Sequence, residues 1–181
     1  MIDLIWHAEF QQTVFRCVVE AFSRPAQINV LPECEHHAAI AVLATLVDGE
    51  SSLADPHQQL DNTHWLRLQV KPTATESAAF ILCQGSRTVD FEPNLGTLVS
   101  PEKGATLVII IDDINGGDRT YQFSGVGMET PVLIAPQGLH VSWFKQRANW
   151  NSAFPLGIDM LLATKDGILA LPRTTQIKEI N

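Results

Sequence analysis

Between residues 8 and 22, Phe10, Val14, Phe15, Val18, Val19 and Phe22 recur at intervals of three and four, the spacing that lines one face of an amphipathic helix. Ser23-Arg24-Pro25 ends that helix. Ala38 to Val47 predicts an apolar helix stopped by Asp48-Gly49. Asp55, followed by Pro56, suits the cap of a helix running through Leu60, His64, Leu66 and Leu68 to about Gln69. A last amphipathic helix is predicted over Pro136 to Asn151, with Leu139, Val141, Trp143, Phe144 and Trp150 inward; Lys145 and Arg147 serve its C-terminal half, where the helix dipole favours cations. Other runs are apolar without alternation. Ala78 to Cys83 and Leu107 to Ile111 predict strands covered on both faces, the second at the centre of the sheet. Shorter strands are expected at Ile28 to Leu31, Ser51 to Ala54 and Val132 to Ala135. Asn115-Gly116-Gly117-Asp118 predicts a turn that brings Thr120 to Phe123 back antiparallel to the central run.

The most self-consistent stretch is C-terminal. Gly157 to Thr164 and Ile168 to Leu171 flank Lys165-Asp166-Gly167, in which Asp-Gly supplies the positive φ of a tight hairpin turn. Both arms are apolar at consecutive positions, so a layer must cover each face. Asp159 and Arg173 are the charges to explain, because charges are seldom buried unpaired. A three-residue loop sets Asp159 opposite Arg173, whereas a two-residue loop that leaves Lys165 opposite Ile168 sets Asp159 opposite Thr174. A structural carboxylate held by Arg173 or by backbone N–H groups is the plainer reading than a catalytic one. Pro172 suits a strand end or an edge. Interleaved helices and strands with two hairpins predict a three-layer α/β/α sandwich on a mixed sheet.

The chain's 181 residues show no composition break, which predicts one domain over residues 1–181. The longest apolar run, Ala105 to Ile111 with Thr106 inside it, is far short of the roughly 20 residues that cross a bilayer. Twelve Lys and Arg against twenty Asp and Glu give a net charge of −8, which opposes attraction to nucleic acid or anionic lipid. An anionic substrate then needs a local concentration of Arg or helix N-termini, or a basic site on a partner chain, and this favours a subunit over a complete enzyme. Cys17, Cys34 and Cys83 form no CxxC pair and sit in or beside apolar segments, the setting of reduced thiols. The start, MIDLIWHAEF, lacks a basic n-region, so the expected location is the cytoplasm.

The densest potential metal ligands are Cys34, His36 and His37, flanked by Glu33 and Glu35. Adjacent histidines diverge in helix or strand and no second cluster closes a tetrahedral site, so a solvated helix start is the better reading. His57 and His64 fall on one predicted helix face but lack a third, carboxylate ligand at matching spacing. No GxSxG elbow is present, and neither Cys17 nor Cys83 has the electropositive setting of a nucleophile. Ser124-Gly125-Val126-Gly127 hints at a phosphate-binding turn, but no third glycine follows and a structural bend is preferred.

Several phrases together resemble the PhnH family, the H subunit of the carbon-phosphorus lyase system of bacterial phosphonate breakdown. They are Phe154-Pro155-Leu156-Gly157-Ile158-Asp159-Met160-Leu161-Leu162, Leu169-Ala170-Leu171-Pro172-Arg173-Thr174-Thr175, and the segment from Gly96-Thr97 through Pro101-Glu102-Lys103-Gly104-Ala105-Thr106-Leu107. Phe15-Arg16 with Ala21-Phe22-Ser23-Arg24-Pro25, Trp65-Leu66-Arg67-Leu68, and Ser124 to Met128 are similar to further family phrases. Departures fall at Ala26 (family Gly), Gln69 (family His) and Val126 (family Pro). If the family glycine serves a positive φ, the turn at Ala26 must be built differently.

The resemblance implies a reduced form of the pyridoxal-phosphate-dependent transferase fold that lacks the Schiff-base lysine and the cofactor. It also implies a subunit that helps its partners displace adenine from ATP by a phosphonate, giving ribose 1-phosphonate 5-triphosphate. A radical-SAM, iron–sulfur subunit then cuts the carbon–phosphorus bond. The implied partners are the other subunits, above all the radical one, and a second copy of the chain when it is alone. Lys71, Lys103, Lys145, Lys165 and Lys178 lie in a loop, turns, a helix with charged neighbours or the tail, and none looks buried beside a cofactor. From the residues alone, Asp159, Arg173 and Asn151 are the candidate site of a stand-alone enzyme. A scaffold, for which no single polar residue matters, is a further alternative. Trp143 and Trp150 mark the last helix as a candidate partner surface, with core packing as the competing explanation.

Overall fold

A computed structural model describes residues 3–180. Its elements run α1 (Ala8–Ser23), β1 (Asn29–Val30), α2 (Ala38–Leu46), β2 (Ser52–Ala54), α3 (Asn62–Leu68), β3 (Lys71–Pro72), β4 (Phe80–Gln84), β5 (Thr106–Ile110), β6 (Thr120–Ser124), β7 (Val132–Ile134), α4 (Ser142–Trp150), β8 (Asp159–Ala163), β9 (Gly167–Leu171) and β10 (Gln176–Ile180). Seven strands form one sheet in the order β1-β9-β8-β5-β4-β2-β3. The pairs from β8 to β3 are all parallel and only β9 runs against its neighbours, so the sheet is mixed. The strongest β-former in the chain, β5, is the middle strand.

Both faces of this sheet are covered, as continuous apolar strands require. Leu82, Val108, Leu161 and Ala170 pack on one side with Val14, Val18 and the apolar α2. Their sequence neighbours Ile81, Leu107, Leu162 and Leu169 face the other way, onto Phe123, Ile134, Trp143 and Trp150. The second covering layer is therefore not purely helical. It combines α4 with a three-stranded antiparallel sheet, β10-β6-β7, and the expected α/β/α sandwich is corrected on that side. The reason lies in the turn at residues 115–118. The hairpin expected there with the central run does not form: β6 leaves the main sheet and pairs with β7 and β10 instead of β5.

Several local expectations are also revised. Asp55 caps no helix; its carboxylate accepts the N–H groups of Gln59 and Leu60 in a turn, and α3 starts later with Asp61 as its cap. His57 thus lies before the helix and shares no face with His64. Residues 136–141 are not helical, because Gly138 takes φ +77°. Ala26 itself adopts φ +61°, so the turn keeps its left-handed residue without glycine, and its N–H reaches the carbonyl of Ala170 on β9. Phe15 and Val19, expected inward, are about half exposed, at 51% and 49%. Trp143 and Trp150 are buried, which removes them from any partner surface. No helix among the described residues is long and apolar enough to cross a membrane.

Two histidines tie stability to pH. His37 is the N-cap of α2, with Nδ1 accepting the Ala39 N–H, and His57 Nδ1 accepts the Gln84 N–H. Burial lowers both pKa values, with a smaller opposing effect of Asp90 on His57. A lowered histidine pKa means that the stabilising neutral form prevails above the ordinary value of about 6.5 and is lost as pH falls through the folded-state value. The melting temperature is expected to drop on acidification from pH 7.5 toward pH 5 and to drop less in His37→Asp, whose carboxylate still caps the helix. An equal drop in wild type and variant in parallel thermal melts would contradict the role given to His37.

Candidate functional site

The candidate residues converge at the amino end of the parallel strands, where Asp159 opens β8 and Arg173 follows β9. The hairpin takes neither expected register: its loop has two residues, but they are Lys165 and Asp166, not Asp166 and Gly167. Thr164 faces Gly167 across a Lys165-Asp166 loop, and the Thr164 hydroxyl accepts the Gly167 N–H at 3.0 Å. Ala163 accordingly pairs with Ile168. Gly167 is a strand residue and takes no positive φ. Asp159 and Arg173 meet nevertheless, because the chain leaves the ladder after Leu171.

Arg173 binds Asp159 in two ways. Its backbone N–H donates to Oδ1 at 2.7 Å and its Nη2 donates to Oδ2 at 2.9 Å. Nη1 donates to two carbonyls, those of Pro101 at 2.8 Å and Pro155 at 3.0 Å. Two loops far apart in sequence are thereby fastened to the end of the hairpin. Asn151, at the C-terminal end of α4, accepts the Ile158 N–H and donates to the Ile158 carbonyl, closing the loop that enters β8. That loop contains the cis Phe154-Pro155 bond.

Arg147 completes the arrangement, and the sequence reading assigned it only to the helix dipole. Its guanidinium is buried on the inner face of α4 and donates to the carbonyls of Thr175 and Pro172. Burial lowers its pKa to about 10, against the opposing pull of Asp159, so it stays charged near neutrality. The signal was present in the spacing. Arg147 lies four residues after Trp143 and three before Trp150, on the apolar stripe of its own helix.

This is a clasp in its chemistry. Arg173 spends most of its donors on Pro101, Pro155 and Asp159, while the Asp159 carboxylate is shared between the backbone and side chain of one residue. Asn151 serves the backbone N–H and carbonyl of one residue, Ile158. Each group is oriented, but each is oriented toward the chain itself.

The carboxyl end of the sheet, where open α/β sheets bind ligands at the point of reversed strand order, lies between β2 and β4. The crossover after β2 passes over one face and the segment after β4 over the other. His57 fills this crevice against Phe91 and Trp143, with ring centroids 6.4 and 6.3 Å away. Its Nδ1 lone pair is taken by the Gln84 N–H, which leaves a buried Nε2–H and no free base. Asp90 is its nearest carboxylate, at 4.0 Å. In that tautomer His57 presents no free ring lone pair to a ligand in the crevice. All five lysines are exposed, so none has the desolvated amine that a Schiff base requires.

Residues 3–178 match the family of bacterial phosphonate metabolism proteins, PhnH. The chain belongs to that family. A C-P lyase subunit protein described as putative, HtxG of Stutzerimonas stutzeri, is 38% identical over 173 residues, which span 96% of this chain and 88% of the relative. The PhnH subunit of alpha-D-ribose 1-methylphosphonate 5-triphosphate synthase from Rhizobium meliloti (strain 1021) is 29% identical over 180 residues, covering 92% of this chain and 90% of that one. The phrases that carry the PhnH resemblance meet at the clasp. Pro101, Pro155, Asp159 and Arg173 come from three of them. In a fourth, a side chain at Gly125 would lie 2.9 Å from the Thr174 carbonyl, and one at Gly127 would meet Pro25 and Ser23 of the opening phrase.

Proposed function

We propose that this PhnH-family chain is a non-autonomous subunit of the carbon-phosphorus lyase system. It helps partner subunits form ribose 1-phosphonate 5-triphosphate from ATP and an alkylphosphonate in the cytoplasm. One observation carries the reading: the similarity runs through nearly the whole chain to two proteins named as subunits. Its candidate polar residues agree with it, because Asp159, Arg173, Asn151 and Arg147 are engaged in holding backbone. On this reading the chain binds no pyridoxal phosphate, a cofactor lost from a transferase-like ancestral fold. ATP chemistry and radical-SAM, iron–sulfur chemistry belong to partner subunits. The radical subunit is the foremost partner, and a homodimer is the alternative state of the isolated chain.

Growth tests this directly. Deleting the gene is expected to abolish growth on methylphosphonate as sole phosphorus source while leaving growth on phosphate intact. Unimpaired growth of the deletion strain on methylphosphonate would remove the proposed role.

A further inference from the structure

The turn at residues 115–118 carries chemistry of its own. An asparagine followed by glycine can close on itself: the glycine's peptide nitrogen attacks the side-chain amide carbon, and glycine, without a Cβ, leaves that approach open. Asn115 and Gly116 are both exposed, and Gly116 lines an open cleft of about 350 Å³ between this turn and the loop at residues 136–141. Among the described residues no group accepts the Gly116 N–H, although its neighbours are held. The Asn115 N–H donates to Asp113 Oδ1 at 3.0 Å and the Gly117 N–H to the Ala135 carbonyl at 2.8 Å. The nucleophile is therefore unshielded. The electrophile is oriented, because Asn115 Oδ1 accepts the Ala135 N–H at 3.4 Å. That oxygen gains negative charge as the ring closes, so the same N–H stabilises the tetrahedral intermediate.

The chain has two other acidic or amide residues followed by glycine, and their surroundings close both. Gly167, after Asp166, is buried and its N–H is held by the Thr164 hydroxyl at 3.0 Å. Asp48, before Gly49, accepts the Ser51 hydroxyl at 2.8 Å and the Glu50 N–H at 3.1 Å, which hold its carboxyl below the usual range. It stays a carboxylate, which is a poor electrophile. Asn151 has both ends of its side chain bound to Ile158.

We infer that Asn115 is a self-modification site of the folded chain, converting spontaneously to aspartate and to β-linked aspartate. The Gly116 nitrogen gives its proton to solvent base and bonds to Asn115 Cγ; the Cγ–Nδ2 bond breaks and ammonia leaves, taking a proton from water. Water then opens the succinimide ring, at Cγ to give aspartate or at the Asn115 main-chain carbonyl carbon to give the β-linked form. The net change is amide plus water to carboxylate plus ammonium, with nothing oxidised or reduced.

The β-linked product lengthens the main chain where the Gly117–Ala135 hydrogen bond and the Asp113–Gln137 bridge fix its length. Space is already short there, since a Cβ at Gly117 would lie 2.2 Å from the Pro136 carbonyl oxygen. The new carboxylate also joins Asp112, Asp113 and Asp118. The turn therefore loosens from the 135–137 segment, and its β-linked carboxyl becomes a substrate for an isoaspartyl methyltransferase.

The test incubates the full chain near neutrality at physiological temperature, native and in urea, and follows it by peptide mass spectrometry and by labelling with an isoaspartyl methyltransferase. Native Asn115 is expected to deamidate at least about tenfold faster than any other asparagine of the chain, and no more slowly than in urea. Methyl labelling is expected to accumulate in wild type and to be lost in Asn115→Gln, whose longer side chain closes the ring poorly. The aged native chain is expected to melt at a lower temperature than the fresh one. Slower conversion of Asn115 in the native chain than in urea would mean that the fold protects it and would overturn the inference. Labelling retained in folded Asn115→Gln would move the site to Asp48 or Asp166 and overturn it equally. An unchanged melting temperature of the converted chain would overturn the loosening assigned to the turn.

Discussion

Arg173→Ala is expected to destabilise the chain by about 3 kcal/mol, which for a protein of this length lowers the melting temperature by roughly 6 to 12 °C. The loss has three sources. Asp159, whose side chain is only 22% exposed, loses its countercharge, and the carbonyls of Pro101 and Pro155 lose their donor. The 96–101 and 151–158 loops lose the tie between them. Arg173→Lys is expected to restore only part of this stability, because an ammonium cannot span Asp159 and two carbonyls as the planar guanidinium does. Asp159→Asn should fall between them, since its remaining oxygen still accepts the Arg173 N–H. The double substitution Asp159→Asn/Arg173→Ala should cost less than the sum of its two single ones. Thermal unfolding of the four variants decides the matter. Wild-type stability in Arg173→Ala, with function lost, would make Arg173 a ligand-binding or catalytic residue instead of a clasp.

Gly104→Ala is expected to cost a similar amount, about 2 to 3 kcal/mol, for a reason unrelated to backbone conformation. Gly104 has an ordinary φ of −58°. The obstacle is space. A methyl group there would lie 2.2 Å from the Gly157 carbonyl oxygen and 3.0 Å from Arg173 Nη2. Gly157 is held in turn by the Leu95 carbonyl, and Arg173 by three acceptors, so neither neighbour can retreat without opening the clasp. A denaturant titration of Gly104→Ala should show a lower midpoint with an unchanged slope. An unchanged midpoint would mean that the loop at residues 96–104 is not pressed against the 151–158 loop.

How much of this was legible in the sequence depends on the range over which each feature is decided. The buried strands, the apolar α2 and the C-terminal hairpin follow from composition and periodicity within a few residues, and they appear where expected. The hairpin register did not follow, because it turns on the Thr164 hydroxyl, which takes up the Gly167 N–H and draws Gly167 into the strand opposite Thr164. Asn115-Gly116-Gly117-Asp118 reads locally as a hairpin turn, yet nothing local says that β6 joins a different sheet; only its pairing with β7 and β10 and its packing with α4 decide that. The truncation of α4 reflects Gly138, whose positive φ outweighs the apolar periodicity of the preceding segment. Arg147 was misread because a cation near a helix C-terminus has an adequate local explanation, whereas its acceptors at Pro172 and Thr175 lie 25 and 28 residues away. Asp159 and Arg173 were visible as charges in an apolar hairpin. The carbonyls that occupy Arg173 were not, since they belong to loops brought in by the tertiary fold.

The account makes this chain a component whose polar residues hold its own loops in place and whose contribution to chemistry is made through partners. Adenine release from ATP and methylphosphonate by the purified partner subunits, measured with and without this chain, tests that claim most directly. Release is expected to depend strictly on the chain, and the chain alone is expected to release none. An unchanged rate in its absence, or release by the isolated chain, would contradict the account.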